Sequence, residues 1–311
     1  MPTLATEPAP RHYPPSWYAT SAQLLPPFTP LQGDTQTDVC VIGGGYTGLS
    51  TALHLRKKGY DVVVLDAERV GWGASGRNGG HVGTGQRADQ TAIEKWVGLE
   101  AAKGLWQLSL EAVQRVCDLI DEYQIDCELG SGNLHFAAKP SHAGGLQDEL
   151  EHLETVYGYE QLSYVSADKI SELSSARGFH GALLDNGCRH LHPLKYALGL
   201  ARAAQEAGIK IFEGTHGRPS SDGSTGEVIT QYGRVKARHV VMACNAYLGK
   251  LMPRLAGNIM PINNFVIATE PLPSQLLQRI NRDNLSMSDT LFVINYWKLS
   301  EDGRLIFGGG E

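Results

Sequence analysis

The sequence predicts a mixed α/β fold, with one domain built on a parallel sheet and a second built on a largely antiparallel sheet. Two apolar runs, Val39–Ile42 and Val62–Leu65, flank a segment with helical spacing. Such continuous runs are typical of parallel strands covered on both faces. A second helix–strand unit follows near residue 190, and the C-terminal part is rich in predicted strands. The parallel domain is therefore expected to be discontinuous along the chain.

Residues 1–34 are predicted to form a proline-rich arm. The aromatic pair Trp17 and Tyr18 favours an arm packed on a surface over a disordered tail. The first helix is predicted over Tyr46–Lys58, with Gly59 as its C-terminal stop. Together with the two apolar strands, it makes a β-α-β unit.

Apolar spacing predicts a long helix around Trp106–Ile120 and a shorter one around Leu146–Val156, with a strand between them in "GSGNLHFAAK". A further helix begins at Pro193 and leads to a strand at Lys210–Glu213. Hairpin strands then lead into a strand at His239–Ala243, which we expect to be buried. Strands also dominate the rest of the chain.

Composition and charge are those of a globular protein. The 311 residues are 42% hydrophobic and 19% charged, which allows a sizeable core. A net charge of −6 provides no general attraction to nucleic acid or to an anionic membrane. The sequence has no apolar run long enough to span a bilayer, and its start lacks the pattern of a secretion signal. We therefore expect a cytoplasmic protein.

The five cysteines are scattered, and none stands at metal-ligand spacing. Cys40 and Cys244 lie in apolar runs, where a cysteine usually serves as a small hydrophobic residue. The simplest interpretation is a reduced protein without a metal site.

Gly43, Gly45 and Gly48 fit the pattern G-x-G-x-x-G where the first strand meets the first helix. They would allow a tight turn, a close approach of backbone to a pyrophosphate, and close packing of helix on strand. Asp66 ends the second strand, where an acid can accept hydrogen bonds from a ribose. This context predicts a dinucleotide site, and the alternative is a tight turn without a ligand. The pattern alone does not separate FAD from NAD.

A second glycine-rich loop, "GASGRNGGH", follows close behind. Its small residues, with Ser75, Arg77 and Asn78, could run along a phosphate chain and beside a planar ring. The alternative is a flexible surface loop.

These two loops, with "YQIDCE", "GALLDNGCRHLHPLKYALGLARAA", "ACNAYLG" and "DGRLIFGGG", resemble the D-amino-acid-oxidase-type family of FAD-dependent amine oxidoreductases. Within that family, the resemblance is strongest to the branch of bacterial gamma-glutamylputrescine oxidases. It implies FAD bound in a Rossmann-like domain, with a substrate domain beside it. The residues that it implies for the cofactor are Gly43, Gly45, Tyr46, Thr47, Gly48, Asp66, Ala67, Ser75, Gly76, Arg77, Asn78, Gly79, Gly80, Ala243 and Asn245.

We divide the chain accordingly into an arm (1–34), an FAD-binding domain (35–90 and 186–252) and a substrate domain (91–185 and 253–311). Family members continue beyond "GGGE", so we expect a chain that is truncated in its substrate domain. We expect such a truncation to affect both the affinity for FAD and the activity.

The resemblance also implies the reaction. A neutral amine delivers hydride to the flavin N5, and the resulting imine hydrolyses to an aldehyde. Oxygen, or another electron acceptor, reoxidises the flavin, and oxygen gives hydrogen peroxide. No side chain has to act as an acid or base in this class. The expected partners are thus a small amine and an electron acceptor.

His81 and Tyr296 are the flavin-side candidates. His81 stands where this branch usually has glutamine and could tune the flavin or the amine, or merely hydrogen-bond the loop backbone. Tyr296 and Trp297 would point to opposite faces of a strand, so that one of them could line the substrate pocket.

Other polar residues have simpler interpretations. His190 and His192 lack a third ligand, so we expect a capping or packing role for His192 rather than a metal. Tyr247 follows the strand at His239–Ala243 on the side where ligands bind. Glu213 and Glu270 could pair with an amine but are expected to be ordinary exposed acids.

Two other functions remain open from the sequence. One is a non-catalytic flavin-binding remnant or interaction subunit, which would bind FAD without turnover. The other is an NAD(P)-dependent dehydrogenase, against which the loop "GASGRNGG" argues.

Overall fold

The computed structural model describes residues 12–220 and 226–310. Its strands are β1 (Thr35–Ile42), β2 (Val62–Leu65), β3 (His81–Val82), β4 (Gly130–Phe136), β5 (Leu162–Ser166), β6 (Gly181–His190), β7 (Lys210–Phe212), β8 (Arg218–Pro219), β9 (Glu227–Ile229), β10 (Arg234–Met242), β11 (Phe265–Ala268), β12 (Ser286–Asp289), β13 (Tyr296–Leu299) and β14 (Leu305–Gly309). Its helices are α1 (Trp17–Ser21), α2 (Tyr46–Lys57), α3 (Gln90–Val97), α4 (Leu99–Glu122), α5 (Pro140–Tyr157), α6 (Ile170–Leu173), α7 (Pro193–Glu206), α8 (Pro253–Ala256) and α9 (Ser274–Ile280), with 3-10 segments at Ala74–Gly76 and Asn245–Leu251. The mixed α/β class is confirmed.

The chain forms two compact units. The first contains the described parts of Met1–Arg77, Tyr123–Ile125 and Pro193–Ile262. The second contains those of Asn78–Glu122, Asp126–His192 and Asn263–Glu311. Residues 78–90 and 186–192, assigned from the sequence to the FAD-binding domain, fall in the second unit because β3 pairs with β6 there.

The first unit is built on a six-stranded sheet in the order β7-β2-β1-β10-β9-β8. β7, β2, β1 and β10 run parallel to one another, whereas β9 and β8 are added antiparallel. The predicted β-α-β unit is confirmed: α2 buries Leu49, Ala52 and Leu53 and is followed by Gly59 at a φ of 87°.

The strand predicted as buried at His239–Ala243 is the end of β10. That prediction is wrong, because the side chains of Val240, Val241 and Met242 are only half-buried and His239 is exposed. Helix α2 packs against β1 and β2, and α7 packs against β7.

The predicted packing of the arm is confirmed for its described residues, 12–34. Tyr18 on α1 is buried, and Leu31 joins the core of the first sheet with Val63 and Val228. Residues 1–11 of the arm lie outside the described part of the chain.

The second unit is built on an eight-stranded sheet with the path β11-β14-β13-β12-β4-β6-β3, with β5 also paired to β6. Its pairs are antiparallel except that of β12 with β4. The largely antiparallel second sheet is thus confirmed. An aromatic stack of Phe136, Phe179, Trp297 and Phe307 packs on it.

Candidate functional site

The glycine turn between β1 and α2 has no room for side chains. Gly43 has a φ of 113°, and a Cβ there would meet the carbonyl oxygen of Ala243. A Cβ at Gly48 would overlap the carbonyl oxygen of Gly43. At Gly45, the N-cap of α2, an added Cβ would lie 2.8 Å from Ser75 Oγ. The three glycines therefore have separate steric roles.

Asp66 ties this turn to the loop that follows β2. Its Oδ2 accepts a hydrogen bond from the N–H of Gly44 (2.7 Å), and its Oδ1 accepts one from the N–H of Glu68 (2.8 Å). The carboxylate is half-buried at the end of β2. An acceptor thus stands where a ribose hydroxyl is expected.

A cavity of about 1150 Å³ lies in the first unit, at the carboxyl ends of β1 and β2. Ligands bind at this edge of open parallel sheets. The residues that line it and were predicted to bind the cofactor are Gly43, Gly45, Asp66, Ala67, Ser75, Ala243 and Asn245.

Other residues predicted for the cofactor do not line this cavity. Tyr46 supports its wall, because its N–H donates to Ser75 Oγ (3.1 Å). Thr47 is exposed on α2. Gly76 is buried, and an added Cβ there would overlap the carbonyl oxygen of Gly71.

Arg77 connects the glycine loop to the segment after β10. Its guanidinium lies 4.5 Å from the ring centre of Trp72 and donates a hydrogen bond to the hydroxyl of Tyr247 (3.2 Å). The two rings meet edge to face at 6.1 Å, and both line the cavity. Arg77 therefore holds two aromatic walls together.

Trp72, Thr215 and Leu248 also line the cavity and were not predicted. They come from three loops that are distant in the chain, and no spacing in the sequence connects them. For Trp72, its place between Gly71 and Gly73, directly before the glycine-rich loop, is the one signal that could have found it.

The cavity fits a dinucleotide. Gly43 and Gly45 let backbone approach a pyrophosphate, and the N-terminus of α2 supplies amide donors and partial positive charge. Asp66 supplies the acceptor for the ribose. The volume lies just above the range of about 300–1,000 Å³ that is usual for small-molecule and cofactor sites.

The second half of the glycine loop is held by contacts inside the second unit. Asn78 Oδ1 accepts a hydrogen bond from the N–H of Gly80 (2.8 Å). The carbonyl of Gly80 accepts one from the N–H of Leu191 (2.8 Å). Gly79 packs on Tyr296, since an added Cβ would overlap the ring.

His81 lies between two backbone carbonyls. Its Nδ1 is 3.2 Å from the oxygen of Gly79, and its Nε2 is 3.2 Å from that of Met287. Burial lowers the pKa of His81 to about 4, and the charge of Lys298 acts in the same direction. A neutral imidazole carries one N–H, so only one of the two contacts is a hydrogen bond.

Tyr296 and Trp297 point to opposite faces of β13, as predicted from strand alternation. Trp297 is buried in the aromatic stack, whereas Tyr296 is half-buried and meets the ring of His81 edge to face at 5.5 Å. The hydroxyl of Tyr296 donates to Asn264 Oδ1 (2.6 Å).

Two buried bases flank this part of the second unit. Lys298 Nζ donates to the carbonyl of Leu191 (2.7 Å), and burial lowers its pKa to about 8. His190 pairs with His81 across β6 and β3, and its Nε2 lies 2.7 Å from the carbonyl oxygen of Asn284. Burial, with the charge of Lys298, lowers the pKa of His190 to about 4.

His190 is the last residue of β6, and His192 lies beyond the end of that strand. Both side chains are buried, and α7 begins at Pro193 as predicted. Among the described residues, no group of three or more His, Cys, Asp or Glu side chains is arranged to hold a metal ion. None of the helices in residues 12–220 and 226–310 is long and apolar enough to cross a membrane.

Glu213 contradicts the expectation of an exposed acid. It is buried and pairs with Arg69, with Oε2 2.6 Å from Nε. Its Oε1 also accepts a hydrogen bond from the N–H of Val70 (2.8 Å). The prediction is wrong because the loops after β2 and β7 converge with the arm at this point. Glu270 is exposed, as expected.

A family profile described as FAD dependent oxidoreductase (DAO) matches residues 38–311. The gamma-glutamylputrescine oxidoreductase of Escherichia coli K12 is 39% identical over 296 residues, which cover 95% of this chain and 69% of that protein. A probable oxidoreductase OrdL of Rhizobium meliloti is 38% identical over 298 residues, with coverage of 95% and 69%.

Solved structures share the fold. Glycine oxidase from Geobacillus kaustophilus superposes with a TM-score of 0.67 at 21% identity, covering 88% of this chain and 71% of that one. L-amino acid deaminase from Proteus myxofaciens gives a TM-score of 0.70 at 17% identity, covering 91% and 61%. At these identities, the likeness shows the fold alone.

Proposed function

This chain belongs to the family of FAD-dependent oxidoreductases (DAO), and on that premise we propose that it oxidises a C–N bond of a small amine related to gamma-glutamylputrescine. The cofactor is FAD, and the enzyme class is that of amine and amino-acid oxidoreductases. The observation that carries the proposal is the cavity of about 1150 Å³ in which Gly43, Gly45 and Asp66 come together. The choice of amine is supported by the relative from Escherichia coli.

FAD, when bound, supplies a two-electron acceptor. In the proposed reaction, the amine loses two electrons and two protons, and its C–N single bond becomes the C=N bond of an imine. Water then cleaves the imine to an aldehyde and ammonia or a smaller amine. Oxygen takes up the two electrons and two protons and leaves as hydrogen peroxide.

Most of the residues proposed to hold the cofactor belong to the first unit. Gly43, Gly45 and the N-terminus of α2 would bind the pyrophosphate, and Asp66 would accept from the ribose. Ser75 would face the phosphates from the cavity wall. The other proposed cofactor residues are Tyr46, Thr47, Gly48, Ala67, Gly76, Arg77, Asn78, Gly79, Gly80, Ala243 and Asn245.

For His81 and Tyr296 we propose positions beside the substrate. A pKa of about 4 keeps His81 neutral at pH 7, so it adds no positive charge that would repel a cationic amine. The half-buried ring of Tyr296 offers an apolar surface for a carbon chain. Neither residue has to remove a proton, because the amine can lose its proton to solvent before oxidation.

An aerobic assay of the FAD-loaded chain tests the substrate class. The compounds are gamma-glutamylputrescine, putrescine and glycine, and the products measured are hydrogen peroxide and aldehyde. We expect equal amounts of both products from gamma-glutamylputrescine and slower turnover of putrescine, which lacks the glutamyl group. Faster turnover of glycine would contradict the amine assignment in favour of an amino acid, and flavin without turnover of any compound would favour a non-catalytic flavin protein.

A further inference from the structure

The N-terminal arm contacts the loop at residues 66–72, which lines the cavity. The hydroxyl of Tyr13 donates to the carbonyl of Val70 (2.8 Å). Trp72 Nε1 donates to the carbonyl of His12 (3.2 Å), and Trp72 is itself a lining residue. The arm therefore contacts a residue, Trp72, that itself lines the cofactor cavity.

A buried ion pair between Arg69 and Glu213 stabilises this contact between the arm and the loop. Arg69 pairs with Glu213 and donates through Nη2 to the carbonyl of Leu25 (2.8 Å), and its guanidinium lies 5.1 Å from the ring centre of Tyr13. Glu213 Oε2 also accepts from the N–H of Phe28 (3.0 Å). Both members of the pair therefore bind the arm.

The loop that follows β7 also connects the arm to the cavity. Thr215 lines the cavity, and its N–H donates to the carbonyl of Asp66 (2.8 Å). Its Oγ1 accepts from the N–H of Leu31 in the arm (3.1 Å). Thr215 therefore connects the arm to the loop after β2 through these two hydrogen bonds.

The ion pair is poorly explained as a device for stability alone. The side chains of Arg69 and Glu213 are 7% and 3% exposed, and burial raises the pKa of Glu213. Removing two charges from water offsets most of their attraction, so buried pairs are weak evidence for stability. What this pair does achieve is a fixed geometry for the loop that carries Asp66 and Trp72.

We propose that the arm, locked by Arg69 and Glu213, belongs to the cofactor site and positions loop 66–72 for the adenosine half of FAD. This inference rests on the proposed function. A loop that is already ordered loses less conformational entropy when the ligand binds, and so binds it more tightly. Arg69, Glu213 and Tyr13 are accordingly positioning residues.

The test compares Glu213→Gln and the milder Tyr13→Phe with the wild-type chain. Two exposed changes in the same unit are matched controls: Asp61→Asn, which breaks the surface pair of Asp61 with Arg56, and Tyr60→Phe. FAD affinity of the flavin-free protein is measured by fluorescence quenching, and ADP affinity by calorimetry. Circular dichroism at the temperature of the binding measurements establishes that each variant is folded.

We expect Glu213→Gln to weaken the binding of FAD and of ADP about tenfold. Tyr13→Phe should weaken the binding of both ligands by a smaller factor, and the two control variants should bind both as the wild-type chain does. A lower melting temperature with unchanged FAD and ADP affinity in folded Glu213→Gln would overturn the inference, as would equal weakening in the controls. Wild-type protein that binds no FAD would instead sink the proposed function, and this inference with it.

Discussion

The ring of Tyr296 lies so close to Gly79 that a Cβ at position 79 would overlap its Cε2 and Cδ2 atoms. Gly308, on the neighbouring strand β14, approaches the same ring in the same way. The tyrosine is therefore wedged between two glycines, and His81 meets it edge-on. This contact connects the glycine loop to β13 and explains why position 79 needs a glycine.

Gly79→Ala should lower the free energy of unfolding by about 1–3 kcal/mol, because the added methyl group forces the Tyr296 ring out of its place. Urea unfolding measures it. Gly83→Ala is the control at a nearby glycine just after β3, since a Cβ there meets no atom within 4 Å. If the contact is the cause, adding Tyr296→Ala should make Gly79→Ala nearly neutral, whereas an undiminished effect in that background would refute it.

Gly48 and Gly104 give a second matched pair, because both are helical glycines. A Cβ at Gly48 would overlap the carbonyl oxygen of Gly43, while Gly104 on α4 faces open space. We expect Gly104→Ala to stabilise the protein by about 1 kcal/mol through helix propensity. Gly48→Ala should destabilise it and abolish FAD binding, which unfolding curves and flavin fluorescence would show. Equal stabilisation by both changes would contradict this view of the turn.

Asp66→Asn should weaken FAD binding by about tenfold to a hundredfold. An amide has one acceptor oxygen, which the N–H of Gly44 or Glu68 engages, so the charged acceptor proposed for the ribose is lost, and a hydrogen bond to a charged group contributes about 1.5–3 kcal/mol. Asp34→Asn is the control, because Asp34 also accepts a backbone N–H, that of Arg234, but does not line the cavity. Quenching of FAD fluorescence measures the FAD affinity of both variants. Equal affinity of the Asp66→Asn and Asp34→Asn variants would count against the assigned role of Asp66.

Lys298 predicts a pH dependence of stability. Its pKa is lowered from 10.5 to about 8 in the folded state by burial. Between these two values the unfolded chain binds more protons, so this group makes stability rise as the pH rises from about 8 to 10.5. Below pH 8, the folded state carries the full penalty of a buried charge.

Lys298→Met removes that penalty. The stability of the variant relative to wild type should therefore be higher at pH 7 than at pH 10.5, by about 3 kcal/mol. Urea unfolding at the two pH values measures the difference, and the exposed Lys210→Met variant controls for loss of a charge. The same relative stability at both pH values would mean that burial does not shift the Lys298 pKa.

Much of the first unit could be predicted because its signals are local. The glycines at 43, 45 and 48, the apolar strands and Asp66 all lie within one β-α-β unit, where spacing alone fixes the neighbours. Gly43, Gly45 and Asp66 line the cavity for this reason.

The features that could not be predicted depend on contacts between distant parts of the chain. The sequence predicts a surface acid at Glu213, since nothing near it in the sequence reveals Arg69 or the arm. The parallel pairing of β12 with β4 and the wedge of Tyr296 against Gly79 are non-local in the same way. Burial of a polar residue is decided by such contacts, and its own sequence neighbours carry little information about them.

The proposed function requires that this chain binds FAD and passes electrons from an amine to it. The most direct measurement is the visible absorbance spectrum of the purified, FAD-reconstituted chain under anaerobic conditions, before and after gamma-glutamylputrescine is added. We predict an oxidised flavin band that bleaches on addition of the amine and returns on exposure to air. A flavin band that no amine bleaches, or a chain that holds no flavin after reconstitution, would contradict the account.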